Sequence, residues 1–295
     1  MPTFPTPEPI AVTVDVTGDV RFNASDRTDT VVVVRPRDPN KAADVRAAES
    51  TVVDLTDGRL VVRSPRQWRH YTPWGGNESI EVTIDLPTRS SVDGESSMGH
   101  LVADGELAGC RFKTGMGRIR LDHTGPLVAA SGFGEVVVER VEGDAEITSG
   151  SGDIRIDEVT GGAVVTSANG RVAIGQVGGD LRIKASNGDV TVDHALASAS
   201  AKTACGDVRI LDVSRGTVVL ETAAGEVEVG VRAGAAAWLD AHTRFGVVRS
   251  SLDDADGPGP SDSTVEVRAR TSAGDILIGR SPATDVPPSN ERSDA

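Results

Sequence analysis

The sequence predicts an all-β protein: a parallel β-solenoid of about ten coils with an 18-residue period over residues 96–280, preceded by an irregular β-rich capping region at 10–95. Three observations predict it. A glycine recurs at Gly99, Gly117, Gly134, Gly152, Gly170, Gly188, Gly206, Gly225, Gly246 and Gly274, with spacings of 18, 17, 18, 18, 18, 18, 19, 21 and 28 residues. Two residues after each stands Leu101, Ile119, Val136, Ile154, Val172, Val190, Val208, Val227, Val248 or Ile276, with no polar exception. Four residues after the glycines come Ala103, Leu121, Val138, Ile156, Ile174, Val192, Ile210, Val229, Ser250 and Ile278. The residues between these columns are mostly polar or small, as in a strand with one buried face. A single coil cannot stand alone, because each ordered residue costs roughly 1–2 kcal/mol of backbone entropy against a few buried aliphatic chains. Stacking supplies the remaining burial and pairs the backbone.

Taken in order, residues 1–9 are Pro-rich and read as a flexible lead. Ile10, Val12, Val14 and Val16 alternate as a strand, and Gly18-Asp19-Val20-Arg21-Phe22 already carries the repeat signature. Further strands are expected at Val31 to Val34, Leu60 to Val62, and Ile80 to Leu86 before Pro87, with a short helix between Asp38 and Glu49. This region is expected to cover the first coil, whose unpaired N–H and C=O groups would otherwise recruit any passing strand.

Within the array, a second strand precedes each glycine, with inward residues five and seven positions before it, such as Ala145 and Ile147 or Val218 and Leu220. Gly125, Gly143, Gly161, Gly179 and Gly216 open these strands, where a reversal with positive φ is expected. The acidic, Pro/Gly-rich run 253–263 reads as a loop extruded from a coil and accounts for the long last interval. The polar tail 281–295 is expected to be disordered.

Composition narrows the function classes. A net charge of −14 argues against a nucleic-acid partner and against an anionic membrane surface. No window reaches the length of a membrane span, and the opening Met1-Pro2-Thr3-Phe4-Pro5 carries no basic-then-apolar leader, so no membrane insertion and a cytoplasmic location are expected. Only four of thirty basic residues are lysines, the usage of a high-GC bacterial proteome. Cys110 falls in the inward column of Leu127 and Ala145, and Cys205 in a turn five coils away. At about 4.8 Å per coil they lie too far apart for a disulfide and are expected to be free thiols.

No constellation specifies a reaction, so the chain reads as a non-enzyme with no cofactor. The acids after the repeat glycines (Glu135, Asp153, Asp189, Asp207, Glu226, Asp275) would stack into a ladder, but Arg118 and Arg171 interrupt it, and solvated turn residues are preferred to a calcium site. Asp157, Asp193 and Asp212 with Arg155 and Arg209 are the raw material a lyase-like β-helix would need. The five histidines lack metal-ligand spacing, and there is no phosphate loop or nucleophile elbow. Trp68, His70, Tyr71 and Trp74 concentrate three of nine aromatic residues in seven positions and form the candidate interaction surface, read first as a lid over the end of the solenoid and second as a binding loop.

The Gly-Asp-aliphatic-x-aliphatic repeats, with Ser96, Thr114, Ser131, Ser149, Ser167, Thr203, Thr222, Thr243 and Thr271 three residues before their glycines, resemble a bacterial, adhesin-like β-strand-repeat family of unknown function, of the actinobacterial type. Val20-Arg21-Phe22, Ser25-Asp26-Arg27, Ala42 to Glu49 and Ile84-Asp85-Leu86-Pro87 extend the resemblance over roughly residues 10 to 280. It implies a right-handed parallel β-helix and no known enzymatic activity. The expected function is therefore a non-catalytic scaffold or interaction protein presenting a repetitive surface. Its partner would be an unknown protein or a second copy met through the terminal coils. The alternative is a carbohydrate-binding or carbohydrate-active β-helix protein.

Overall fold

The structure, a computed structural model, describes residues 1–64, 78–252 and 263–281. Two long sheets face each other, one of 14 strands and one of 13. Strands that follow the repeat glycines form the first, and strands that precede them form the second. Among the described residues, two strands of the first sheet and one of the second are held by antiparallel pairing, which leaves twelve parallel rungs in each sheet. The chain is an all-β solenoid, about 58 Å long at the usual strand spacing.

The inward columns make the core. Val136, Val172, Val190, Val208 and Val227 are wholly buried, as are Ile147, Val165, Ile183, Val218 and Leu220 of the facing sheet. Val141, Val159, Val177 and Val213 close the coil from the side. The pairing is in register coil on coil, so Val136 stands against Ile154 and Ile154 against Val172. Aliphatic side chains then stack as ladders, and a slip by one residue would turn every one of them to water.

The repeat glycines are required twice over. Gly152 has φ +137°, and a Cβ there would lie 2.2 Å from the carbonyl oxygen of Gly134 in the coil before. The turn glycines before the other sheet differ from expectation. Gly143 and Gly216 do take positive φ, but Gly125, Gly161 and Gly179 do not. Their constraint is the close approach of stacked backbones: a Cβ on Gly125 would sit 1.9 Å from the oxygen of Ala108.

Both ends depart from serial stacking. At the N-terminal end the capping region supplies two further coils. Ala11–Val16 with Gly18–Ser25 stacks directly on the coil of Gly99, and Arg59–Arg63 with Ile80–Pro87 lies outside it. Asp29–Pro36 and Val52–Thr56 then pair antiparallel on the outermost strands, and the helix Ala42–Ser50 packs beside them. Asp44, 1% exposed, ties that helix down through Lys41 Nζ at 2.9 Å and the N–H groups of Ser79 and Asp38 at 3.1 and 3.3 Å. In place of a flexible lead, Thr3–Pro5 adds an antiparallel strand to Asp29–Pro36, and buried Thr6 hydrogen-bonds Thr30 at 2.8 Å.

At the C-terminal end Ser263–Ala273 with Ile276–Arg280 lies between the coil of Gly225 and the earlier segment Ala235–Phe245 with Val248–Ser250. The reason is burial. The later coil offers Val265, Val267, Ala269, Ile276 and Ile278, all at most 2% exposed. The earlier one offers Ala235, Ala237, Leu239, Ala241, Val248 and Ser250, a smaller and less apolar set, and it takes the outermost place. Of the run 253–263, expected to bulge from a single coil, residues 253–262 lie outside the described residues, as do 282–295 of the expected tail. No helix among the described residues is long and apolar enough to cross a membrane.

Candidate interaction surfaces

Stacking uses the repeated polar residues before any ligand can. Aspartates that follow a repeat glycine accept the backbone N–H of the same position in the adjacent coil: Asp153 Oδ1 from Arg171 at 2.8 Å, Asp189 Oδ1 from Asp207 at 3.0 Å, Asp207 Oδ1 from Glu226 at 2.9 Å, and Asp275 Oδ1 from Val247 at 2.9 Å. His100 substitutes for an acid, its Nδ1 accepting from Arg118 at 2.9 Å. Among the described residues no group of three or more His, Cys, Asp or Glu comes together to hold a metal ion.

The Ser/Thr column works in the same way. Ser96, Thr114, Thr222, Thr243 and Thr271 donate to the carbonyls of Gly18, Gly99, Gly206, Gly274 and Gly225 at 2.9–3.2 Å. Ser167 is the exception, a buried hydroxyl with no hydrogen-bond partner.

The raw material for a lyase-like site is dispersed. Arg155 pairs with Asp157 in its own strand at 3.0 Å, and Arg209 with Asp207 at 2.8 Å and Glu228 at 3.4 Å. Asp212 belongs to a third group. It is 4% exposed and accepts from Ser281 Oγ at 2.7 Å, from Arg232 Nε at 3.2 Å and from a second N–H of the same guanidinium, with His194 Nδ1 at 3.2 Å. Burial pushes its carboxyl up, but the hydrogen bonds from Arg232, Ser281 and His194 outweigh burial and hold it below the ordinary carboxylate range. Ser281 is bonded to the carboxylate and not to the imidazole, so these three residues are not arranged as a nucleophile, a base and its orienter.

Asp212 ends a ladder that runs along the first sheet from Glu106 through His123, Arg140, Glu158, Gln176 and His194, each beside the next. Arg140 and Glu158 form an ion pair within it. A shallow groove of about 470 Å³ follows this row past Gly175.

At one corner of the rod, the position just before the glycine, the side chains lie outside the core. Met98, Met116 and Phe133 stand there in adjacent coils, 44%, 54% and 60% exposed. Beyond them the row turns polar with Ser151, Asn169 and Asn187, the two amides hydrogen-bonded at 3.0 Å. Three large apolar side chains on one rigid corner form a patch of the kind that marks a contact surface. The residues singled out by their aromatic density, Trp68, His70, Tyr71 and Trp74, lie outside the described residues.

Cys110 is buried and Cys205 exposed, and neither forms a disulfide. Burial, with the charge of Asp93, pushes the Cys110 thiol up to about 12. A maleimide reagent is therefore expected to label one thiol per native chain, Cys205, and two after unfolding, read by intact mass.

The Toastrack family model, that of the domain of unknown function DUF4097, matches residues 8–281. The chain belongs to this family. Among solved structures, the Toastrack chain is similar to a "putative adhesin" from Parabacteroides merdae at 14% identity, covering 77% of this chain and 94% of that one, with a TM-score of 0.39. It is similar also to a "putative adhesin" from Bacteroides fragilis (11% identity, 94% and 95% covered, TM-score 0.33) and to a "putative lipid binding protein" from Parabacteroides distasonis (10%, 95% and 94%, 0.31). No curated protein matches it.

Proposed function

We propose that this Toastrack protein is a non-catalytic interaction scaffold: a stiff rod that holds exposed side chains at strand spacing and docks a protein partner along one corner. The observation that carries this reading is the row Met98, Met116 and Phe133, exposed on a corner whose backbone is fixed by glycine stacking. A flexible loop would lose order on binding, whereas these residues are already held in place. The partner would present apolar side chains repeating at about 4.8 Å, or a single bulky group spanning three rungs. Two unpaired thiols, one of them exposed, support a reducing compartment such as the cytoplasm.

The test is a pull-down from the source cells with the intact chain and with the triple variant Met98→Ser, Met116→Ser, Phe133→Ser, whose fold is checked by circular dichroism. A partner retained by the intact protein and lost by the triple variant is the expected result. The same set of proteins on both would overturn the corner as the docking site.

A further inference from the structure

The two ends of the rod are built differently. At the N-terminal end antiparallel strands cover the outermost coil in both sheets. At the C-terminal end the outermost strand of the second sheet is Ala235–Phe245, eleven residues long, with Ser263–Ala273 on its inner side. It contains no proline and no lysine, the residues that commonly blunt such an edge. Its inward residues Ala237, Leu239 and Ala241 are only partly buried, because the core ends there.

The backbone direction of this edge follows from one bond. Ala145, seven residues before its glycine as Leu239 is before Gly246, has an inward side chain and donates its N–H to Gly162 O of the next coil at 2.9 Å. Leu239 has the same place and strand direction, so alternation turns the N–H and C=O groups of Leu239, Ala241 and Thr243 outward, along the rod axis. The side chains of Trp238, Asp240, His242 and Arg244 lie on the outer face of the sheet, Trp238 at 61% exposure.

We propose that two copies of the chain join end to end through this strand, paired antiparallel about Ala241. In that register Asp240 of one copy faces His242 of the other, and Trp238 faces Arg244. The two-fold axis makes each contact twice. An imidazole N–H donating to a carboxylate across strands and a cation over an indole ring are both favourable pairings. Shifting the axis to Asp240 would set that carboxylate against its own copy. The outward backbone groups of the edge gain partners, and the open ends of both cores close on each other. This proposal does not depend on the corner of Met98, Met116 and Phe133.

Sedimentation of the full chain across the micromolar range tests it, with three variants. The intact protein is expected to sediment at twice the 30.6 kDa chain mass, with a monomer appearing on dilution. Ala241→Pro removes an outward N–H and leaves the inner ladder intact, and it should be monomeric with an unchanged melting temperature. Asp240→Arg should be monomeric as well, and the double variant Asp240→Arg, His242→Asp should recover the dimer, since the swapped charges again face each other about Ala241. A monomer at every concentration overturns the proposal. So does a dimer that survives Ala241→Pro, or a polymer longer than two, because a two-fold contact closes on itself. Failure of the double variant to recover overturns the register.

Discussion

Gly152→Ala is expected to lower the unfolding free energy by about 3 kcal/mol or more, the sum of left-handed backbone strain and steric overlap. The glycine holds φ +137° and leaves no room for a methyl group, since a Cβ would come within 2.2 Å of Gly134 O and 2.5 Å of Gly134 C. Neither atom is the end of a flexible side chain, so relief requires the two coils to separate and the hydrogen bond from Gly134 N–H to Ser151 O to lengthen. Because each coil touches only its neighbours, the damage is confined to the middle of the rod, and hydrogen exchange should rise first in residues 134–170. Gly58→Ala is the control. Gly58 also has positive φ, +71°, but nothing lies within 4 Å of an added Cβ, so its cost should stay near 1 kcal/mol. Equal losses at the two sites, measured by chemical denaturation, would show that backbone strain alone accounts for the glycine column.

The repeat was legible because its physics is local: inward positions two apart in each strand, and a glycine at a fixed offset. Val136, Ile154 and Val172 needed no structure to be placed in one buried ladder. The order of the last two coils was not legible from spacing, because it is decided by which coil completes the aliphatic columns, a comparison between segments far apart in sequence. Ser250 was the signal, and it marks the coil that ends the stack. The antiparallel cover at the other end was missed in part, since Val52–Thr56 and Thr3–Pro5 are short and interrupted by polar residues. The turn acids read in sequence as solvated turn residues, and their role as acceptors for the next coil appears only when Asp153 is set against Arg171 in register. The corner of Met98, Met116 and Phe133 was missed although its position before the glycine is fixed by the same period. Attention to the buried columns hid the one exposed column in which large apolar residues follow one another.

The second large effect is expected at Asp212, and it depends on pH. This carboxylate fastens the out-of-order part of the rod. It lies in the coil of Gly206 and binds His194 of the coil before, Arg232 after the coil of Gly225, and Ser281 at the exit of the inserted coil. To bond the carboxylate, the neutral His194 ring must carry its proton on Nδ1. Asp212→Asn keeps the shape and removes the charge, so Arg232 loses its anion. The Arg232 side chain is 45% exposed and regains water, which holds the expected loss to about 2 kcal/mol at neutral pH, near the range for charged hydrogen bonds and under that for a stranded buried ion. A folded-state pKa below the unfolded one means that the contribution is complete above about pH 4 and is lost as the pH falls through the lowered value. The gap in denaturation midpoint between the wild type and Asp212→Asn should therefore be full at pH 7 and shrink toward zero under strong acid. Hydrogen exchange should place the weakening in residues 263–281, the coil whose exit Ser281 pins. A gap that widens on acidification would mean that the carboxylate is held up by burial and not down by its three partners, and that the clamp belongs to Arg280, which donates to the carbonyls of Arg232 and Ala235 at 3.1 and 2.9 Å.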